Sequence, residues 1–333
     1  QNAVLPPQNV AACAVLTGSI DLNNEKWTPI GNDSNKYTGT FNGQNYTING
    51  LNIDDADQRY VGLFGYISGA TVKNLTAAGT VKGSKSIGGI VGGAVKNSTI
   101  ENCRNDCRVT SNADNDGSPS AAGIVSWASN TIIAGCINTG MIEANGGYTG
   151  EAGGIVSTLS ASVTIRNCCN TGEVKVSGNG DVGLYDAGGI VGASNAGTVV
   201  GCYNAGIVTV DCSGEATYFS YVGGIVGFAG HYGEGEAVYD CFNVGAVKAQ
   251  GKVYVGGVVG RNSAAKVYNC YNAGTMTGPS IGGVVGSNSN AVENCYYLDS
   301  TAEKAIAEND AKYGTVDETT GPKTAVELGS GTV

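Results

Sequence analysis

The residues that could do chemistry are few. The 333-residue chain has one histidine, His231. A His-Glu-x-x-His metal site needs two, so zinc-peptidase chemistry of that kind is excluded. Any Ser-His or Cys-His nucleophile would have to use His231, which lies in AGHYGEGEAVYD (229–240) near Glu234 and Glu236. The plain reading is an exposed loop histidine. A polysaccharide lyase or hydrolase needs carboxylates converging in one groove. Asp181, Asp186, Asp211, Glu215, Glu234 and Glu236 instead scatter through loops, with no column read as repeating in adjacent coils. No catalytic residue is therefore assigned and no enzyme is expected. NADNDGS (112–118) places Asp114 and Asp116 before a glycine, as calcium loops do, but no bidentate glutamate follows. No metal or other cofactor is expected, and calcium is the one weak candidate. The 11 cysteines contain no Cys-x-x-Cys pair, so a zinc ribbon fails as well. Two of them, Cys13 and Cys212, stand apart from the pattern below and are the candidates for a reactive thiol.

What must position these residues is a repeat. A glycine-apolar motif recurs eight times: VGLFG (61–65), IGGIVG (87–92), AAGIVS (121–126), AGGIVS (152–157), AGGIVG (187–192), VGGIVG (222–227), VGGVVG (255–260) and IGGVVG (281–286). A second motif follows each copy. Its anchor column reads Leu75, Cys103, Cys136, Cys168, Cys202, Cys241, Cys270 and Cys295. A β-branched residue stands three before each anchor, and Asn, Gly or Asp one before. Two after come Asn105, Asn138, Asn170, Asn204, Asn243 and Asn272, and four after come glycines such as Gly140, Gly172 and Gly206. β-branched residues favour strands, and Asn, Asp and Gly tolerate the positive φ of a bend.

The spacing predicts an all-β chain: a parallel β-helix, or β-solenoid, of right hand, with about eight coils and a cap at each end. Residues 1–58 read as entry cap, 59–298 as the coils and 299–333 as exit tail, with a short helix at TAEKAIAEN (301–309). The cysteines become an internal ladder of small hydrophobes, and the asparagines a hydrogen-bonded ladder from coil to coil. Both apolar residues of GGIVG cannot face inward on a regular strand. Either something covers an outer ridge, or a bulge turns both inward.

The 54 glycines and low charge content fit such a scaffold, and the net charge of −10 argues against nucleic acid as a partner. No apolar run is long enough to span a membrane. The outward column after the anchor reads Tyr203, Phe242, Tyr271 and Tyr296 in the last four coils, joined across the bend by Tyr239 and Tyr268. Aromatic rings on a flat face suit sugar rings or an apolar protein patch.

VGLFG and the later GGIVG and GGVVG copies resemble the GLUG motif of bacterial surface proteins and of the stalk of IgA-specific metallopeptidases. WTPIG (27–31) and GTFNGQNYTINGL (39–51) resemble the entry coil of such proteins; NCYYLDS (294–300) and KTAVELGSGTV (323–333) resemble their exit segment. The resemblance implies a secreted, monomeric, extracellular module on a bacterial cell surface that adheres to glycan or host protein. It also implies more chain beyond the exit segment. A structural spacer and a polysaccharide-acting enzyme are the alternatives.

Overall fold

The computed structural model describes residues 8–113, 117–178, 183–212, 216–230 and 236–329. One coil shows the plan. It runs Leu184–Gly188, Val191–Ser194, Gly197–Val200, Tyr203–Asn204 and Val208–Cys212. Each strand pairs in parallel with its counterpart in the coils before and after, as Val199 does with Ile165 and Val238. Three continuous sheets result. One holds the strands before the glycine pair, one the strands after it, and the third the ladder strands. The core is the column of inward side chains down the axis, with Val199, Cys202 and Val208 all buried.

The bend before each anchor is left-handed in all eight coils. Asn74, Asn102, Gly135, Asn167, Gly201, Asp240, Asn269 and Asn294 have φ between 49° and 61°. That one residue resets strand parity, so the β-branched residue and the cysteine both point inward. Only Gly, Asn and Asp tolerate this region cheaply, which is why the column holds nothing else.

The glycine pair makes the other corner. The strand before it ends at the first glycine and the next begins at the valine, as at Gly188 and Val191. The chain turns within Gly189–Ile190, so Ile190 and Val191 are both fully buried, as are Ile90 and Val91. Both residues face inward, as the second expected solution required, but by a corner between strands of two sheets and not by a bulge. The two motifs also meet here. A Cβ on Gly189 would lie 2.3 Å from the side-chain carbon of Asn204, so the glycine file is the seat of the asparagine ladder.

The ends add rungs of their own. Ala14–Val15 and Ile20–Asp21 pair with the long strand Thr40–Asp55. At the exit, Ile306–Asn309 pairs with Val285–Asn288, and Gly321–Lys323 with Tyr296–Leu298. The expected helix over 301–309 is therefore wrong. Those residues spell a helix by local propensity, but the open sheet edge offers them a full row of backbone partners. The helix of the exit segment is Ala325–Gly329. Thr324 caps it: Glu327 N–H donates to Thr324 Oγ1 at 3.3 Å, and Thr324 N–H donates to Glu327 Oε2 at 2.8 Å. That is a capping box.

Candidate functional site

The inner ladders are complete across the middle coils. Asn105 Nδ2 donates to Asn138 Oδ1 at 2.8 Å, Asn138 to Asn170 at 2.7 Å, and Asn170 to Asn204 at 2.8 Å. Asn204 donates to Asn243 and Asn243 to Asn272, both at 2.7 Å. Each amide also closes its own corner, as Asn204 Nδ2 does on Gly206 O at 2.9 Å. Tyr297 takes the next place, its ring against Gly283. All 11 cysteines carry free thiols. A ladder thiol donates to the carbonyl two residues back, Cys241 to Tyr239 O at 3.1 Å and Cys202 to Val200 O at 3.3 Å. Burial pushes the Cys136 and Cys270 thiols well up, so they stay protonated and unreactive. Cys212 is no reactive thiol either: it is buried, donates to Ser220 Oγ at 3.2 Å, and is pushed up to about 11. Cys13 is exposed.

The outward aromatic column forms as a stack. Tyr203 and Phe242 have ring centroids 4.5 Å apart, and Phe242 and Tyr271 5.1 Å apart with planes 9° from parallel. Tyr239 and Tyr268 stack at 4.7 Å and 5°. Lys323 of the exit strand lies over the Tyr296 ring at 5.2 Å. All six side chains are half-exposed. Tyr239 and Tyr268, and Phe242 and Tyr271, pack face to face along the axis, so those rings turn their edges to solvent.

Sequence reading missed a second outward feature. At the glycine corner, the column that holds Tyr60 and Tyr221 before the turn and the column that holds Tyr66, Trp127 and Phe228 after it converge outside the turn. Tyr60 and Tyr66 meet at 4.4 Å, with Trp127 at 6.1 Å; Tyr221 and Phe228 meet at 5.7 Å. Between these two aromatic groups stand Glu151 and Asp186, directly paired on adjacent strands. The reading that no adjacent coils repeat a carboxylate column fails here. The signal was present in EAGG (151–154) and DAGG (186–189), but the column also holds Tyr and Ser, so no run marked it. Thr158 Oγ1 donates to Glu151 Oε2. Burial raises both carboxyls above the usual range. The Glu151 charge lifts Asp186 further, and the Tyr221 N–H and Arg261 draw it partly back.

A second asparagine ladder also went unread: Asn262 Nδ2 donates to Asn288 Oδ1, and Asn288 Nδ2 to Asn309 Oδ1, both at 2.8 Å. Asp114, Asp116, Asp181, Glu215, His231 and Glu234 lie outside the described residues. Among the described residues no group of three or more His, Cys, Asp and Glu side chains converges, and no helix is long and apolar enough to cross a membrane.

With this geometry in hand, comparison with known proteins adds the following. Residues 251–277 match the model of the GLUG motif. Over 94 residues the chain is 36% identical to a protein of Evansella cellulosilytica described as a Gly-rich membrane protein, covering 26% of this chain and 11% of that one. Over 145 residues it is 28% identical to halomucin of Haloquadratum walsbyi, covering 42% of this chain and 2% of that one. The chain thus spans only a small part of the curated relatives it matches. Among solved structures, one described as an immunoglobulin A1 protease from Bacteroides ovatus superposes with a TM-score of 0.51 at 19% identity, covering 96% of this chain and 80% of that one. Another, an IgA1 protease, gives 0.54 at 16% identity over 80% of this chain and 20% of that one. At these identities the likeness is one of fold.

Proposed function

From a chain that carries the GLUG motif on a parallel β-solenoid, we propose a rigid, non-catalytic module of an extracellular protein on a bacterial cell surface. It adheres to glycan or host protein through one outward face. The observation that carries this reading is the half-exposed aromatic strip Tyr203, Phe242, Tyr271 and Tyr296, with Tyr239 and Tyr268 beside it, mounted on a continuous parallel sheet. Hydroxyl-bearing ring edges suit polar, shallow recognition of a sugar or a protein loop. A relative described as a membrane protein, and another named halomucin, support a place at the cell surface.

The second reading is a spacer that holds other domains away from the cell. It is favoured by the stacking itself, because ring faces already satisfied by one another stabilise the rod without any ligand. A glycan and host-matrix binding screen separates the two. Adhesion expects a ligand whose binding falls at least tenfold in Tyr271→Ala and Tyr296→Ala with folding intact; a spacer expects no ligand in the screen. Release of new sugar ends from any polysaccharide would overturn the non-catalytic part of both readings.

A further inference from the structure

Glu151 and Asp186 hold one register position on neighbouring parallel strands, so their Cα atoms stand ~4.8 Å apart. Like charges placed directly opposite destabilise a sheet. Neither side chain belongs to an ion pair among the described residues. One oxygen, Asp186 Oδ1, is shut off from solvent and has no hydrogen-bond partner. A shielded carboxylate pair with an unfilled acceptor calls for positive charge at that point. The protein delivers it only in part: Arg261 draws the Asp186 carboxyl partly back, but forms no ion pair with either carboxylate. Arg261, further along the corner, lies over the Tyr221 ring at 5.6 Å and donates to Ser287 Oγ at 3.1 Å. Hydroxyls supply the remaining polar surface. Thr158 is bonded to Glu151, and Ser120 Oγ donates to Ser157 Oγ at 2.7 Å.

We propose that Glu151 and Asp186 hold a calcium ion between the fourth and fifth coils. The donor set is hard oxygen, two carboxylates with hydroxyls alongside, which suits calcium or magnesium over transition metals. Ligands pinned to a sheet cannot close the short, regular octahedron that magnesium demands, whereas calcium accepts longer and irregular contacts completed by water. The ion bridges two coils and removes the repulsion between them. This site is distinct from the aromatic strip and owes nothing to adhesion.

The test uses the full chain after dialysis against a chelator. Trp127 faces Thr158 on the neighbouring strand, so its emission, read in a Trp27→Phe background, reports on the site together with thermal melting. Calcium is expected to raise the melting temperature and to shift the emission saturably, with magnesium ineffective at the same concentration. Glu151→Gln and Asp186→Asn are each expected to weaken calcium binding at least tenfold. Both variants relieve the repulsion, so each should melt at or above the calcium-free wild type, which separates a lost site from a lost fold. A wild type unmoved by millimolar calcium would overturn the proposal and leave a shared proton between the carboxyls. So would a calcium response that survives in both variants, or one abolished instead by Asp114→Asn with Asp116→Asn.

Discussion

At the scale of single residues, this scaffold buries carboxyls where its outward and corner columns fold under. Glu236 is the clearest case. It is buried beside Ser194; its Oε2 and the nearby column's Asn262 Oδ1 have no partner among the described residues. Burial lifts its carboxyl to about 7, and the Ser194 hydroxyl draws it back slightly. A carboxyl raised on folding binds a proton more tightly in the native state. Its contribution is therefore full below the unfolded value and is lost as pH climbs through the folded one. The lift from the usual glutamate value of 4.5 to about 7 corresponds to at most ~3.5 kcal/mol, at about 1.4 kcal/mol per pKa unit. Wild-type stability should fall between pH 4.5 and pH 8, and Glu236→Gln should flatten that slope. Melting curves across this range check it: the variant should match wild type near pH 4 and exceed it near pH 8. An unchanged slope would place the titrating group elsewhere, with Asp186 the next to test.

At the scale of the element, the ladders are what the repeats exist to build. Asn204 sits mid-ladder, accepting from Asn170 and donating to Asn243 and to Gly206 O. Asn204→Ala leaves several buried polar groups short of a partner, each worth about 1–3 kcal/mol, so a loss of ~3 kcal/mol is expected. Asn272 meets Tyr297 and not an asparagine in the next coil, and its Nδ2 donates within its own coil, to Gly274 O at 3.2 Å and Met276 Sδ at 3.8 Å, so Asn272→Ala should cost less. Urea midpoints followed by circular dichroism should rank wild type, then Asn272→Ala, then Asn204→Ala. These columns were legible from sequence because six of the eight coils restate them and because Gly206, whose Cβ would lie 1.9 Å from Gly172 O, admits no other residue. The Glu151–Asp186 pair was not, because its column tolerates Tyr, Ser, Glu and Asp alike. The exit rung escaped for a related reason. Lys304 and Ala305 accept from Gly283 and Val284 as a further coil would, yet the segment carries no glycine pair to mark it.

At the scale of the whole molecule, a parallel solenoid has two open edges, and an open edge is a template for another chain. Here the exit segment closes one. Ile306–Asn309 covers the strand Val285–Asn288, Thr315–Val316 covers Val292, and Gly321–Lys323 covers Tyr296–Leu298. It does so with features that discourage a further rung: Pro322 has no N–H to donate, and Glu308, Asn309 and Asp310 are exposed. A chain cut after Leu298 keeps all eight glycine-apolar coils but bares an edge whose inward residues, Val285 and Val292, are now fully buried. It should fold with near-native strand content, because each remaining coil still has its preceding neighbour, and then associate through the bared edge. Light scattering at rising concentration should show the truncated chain growing where the full chain stays a single species. If the cut chain instead stays monomeric and melts as the full one does, the exit segment is not the cap, and the eight coils end themselves through the Tyr297 ring against Gly283. The same experiment bears on the rod as a surface module, because a cap that can be exchanged for another rung is the point at which a longer solenoid would continue.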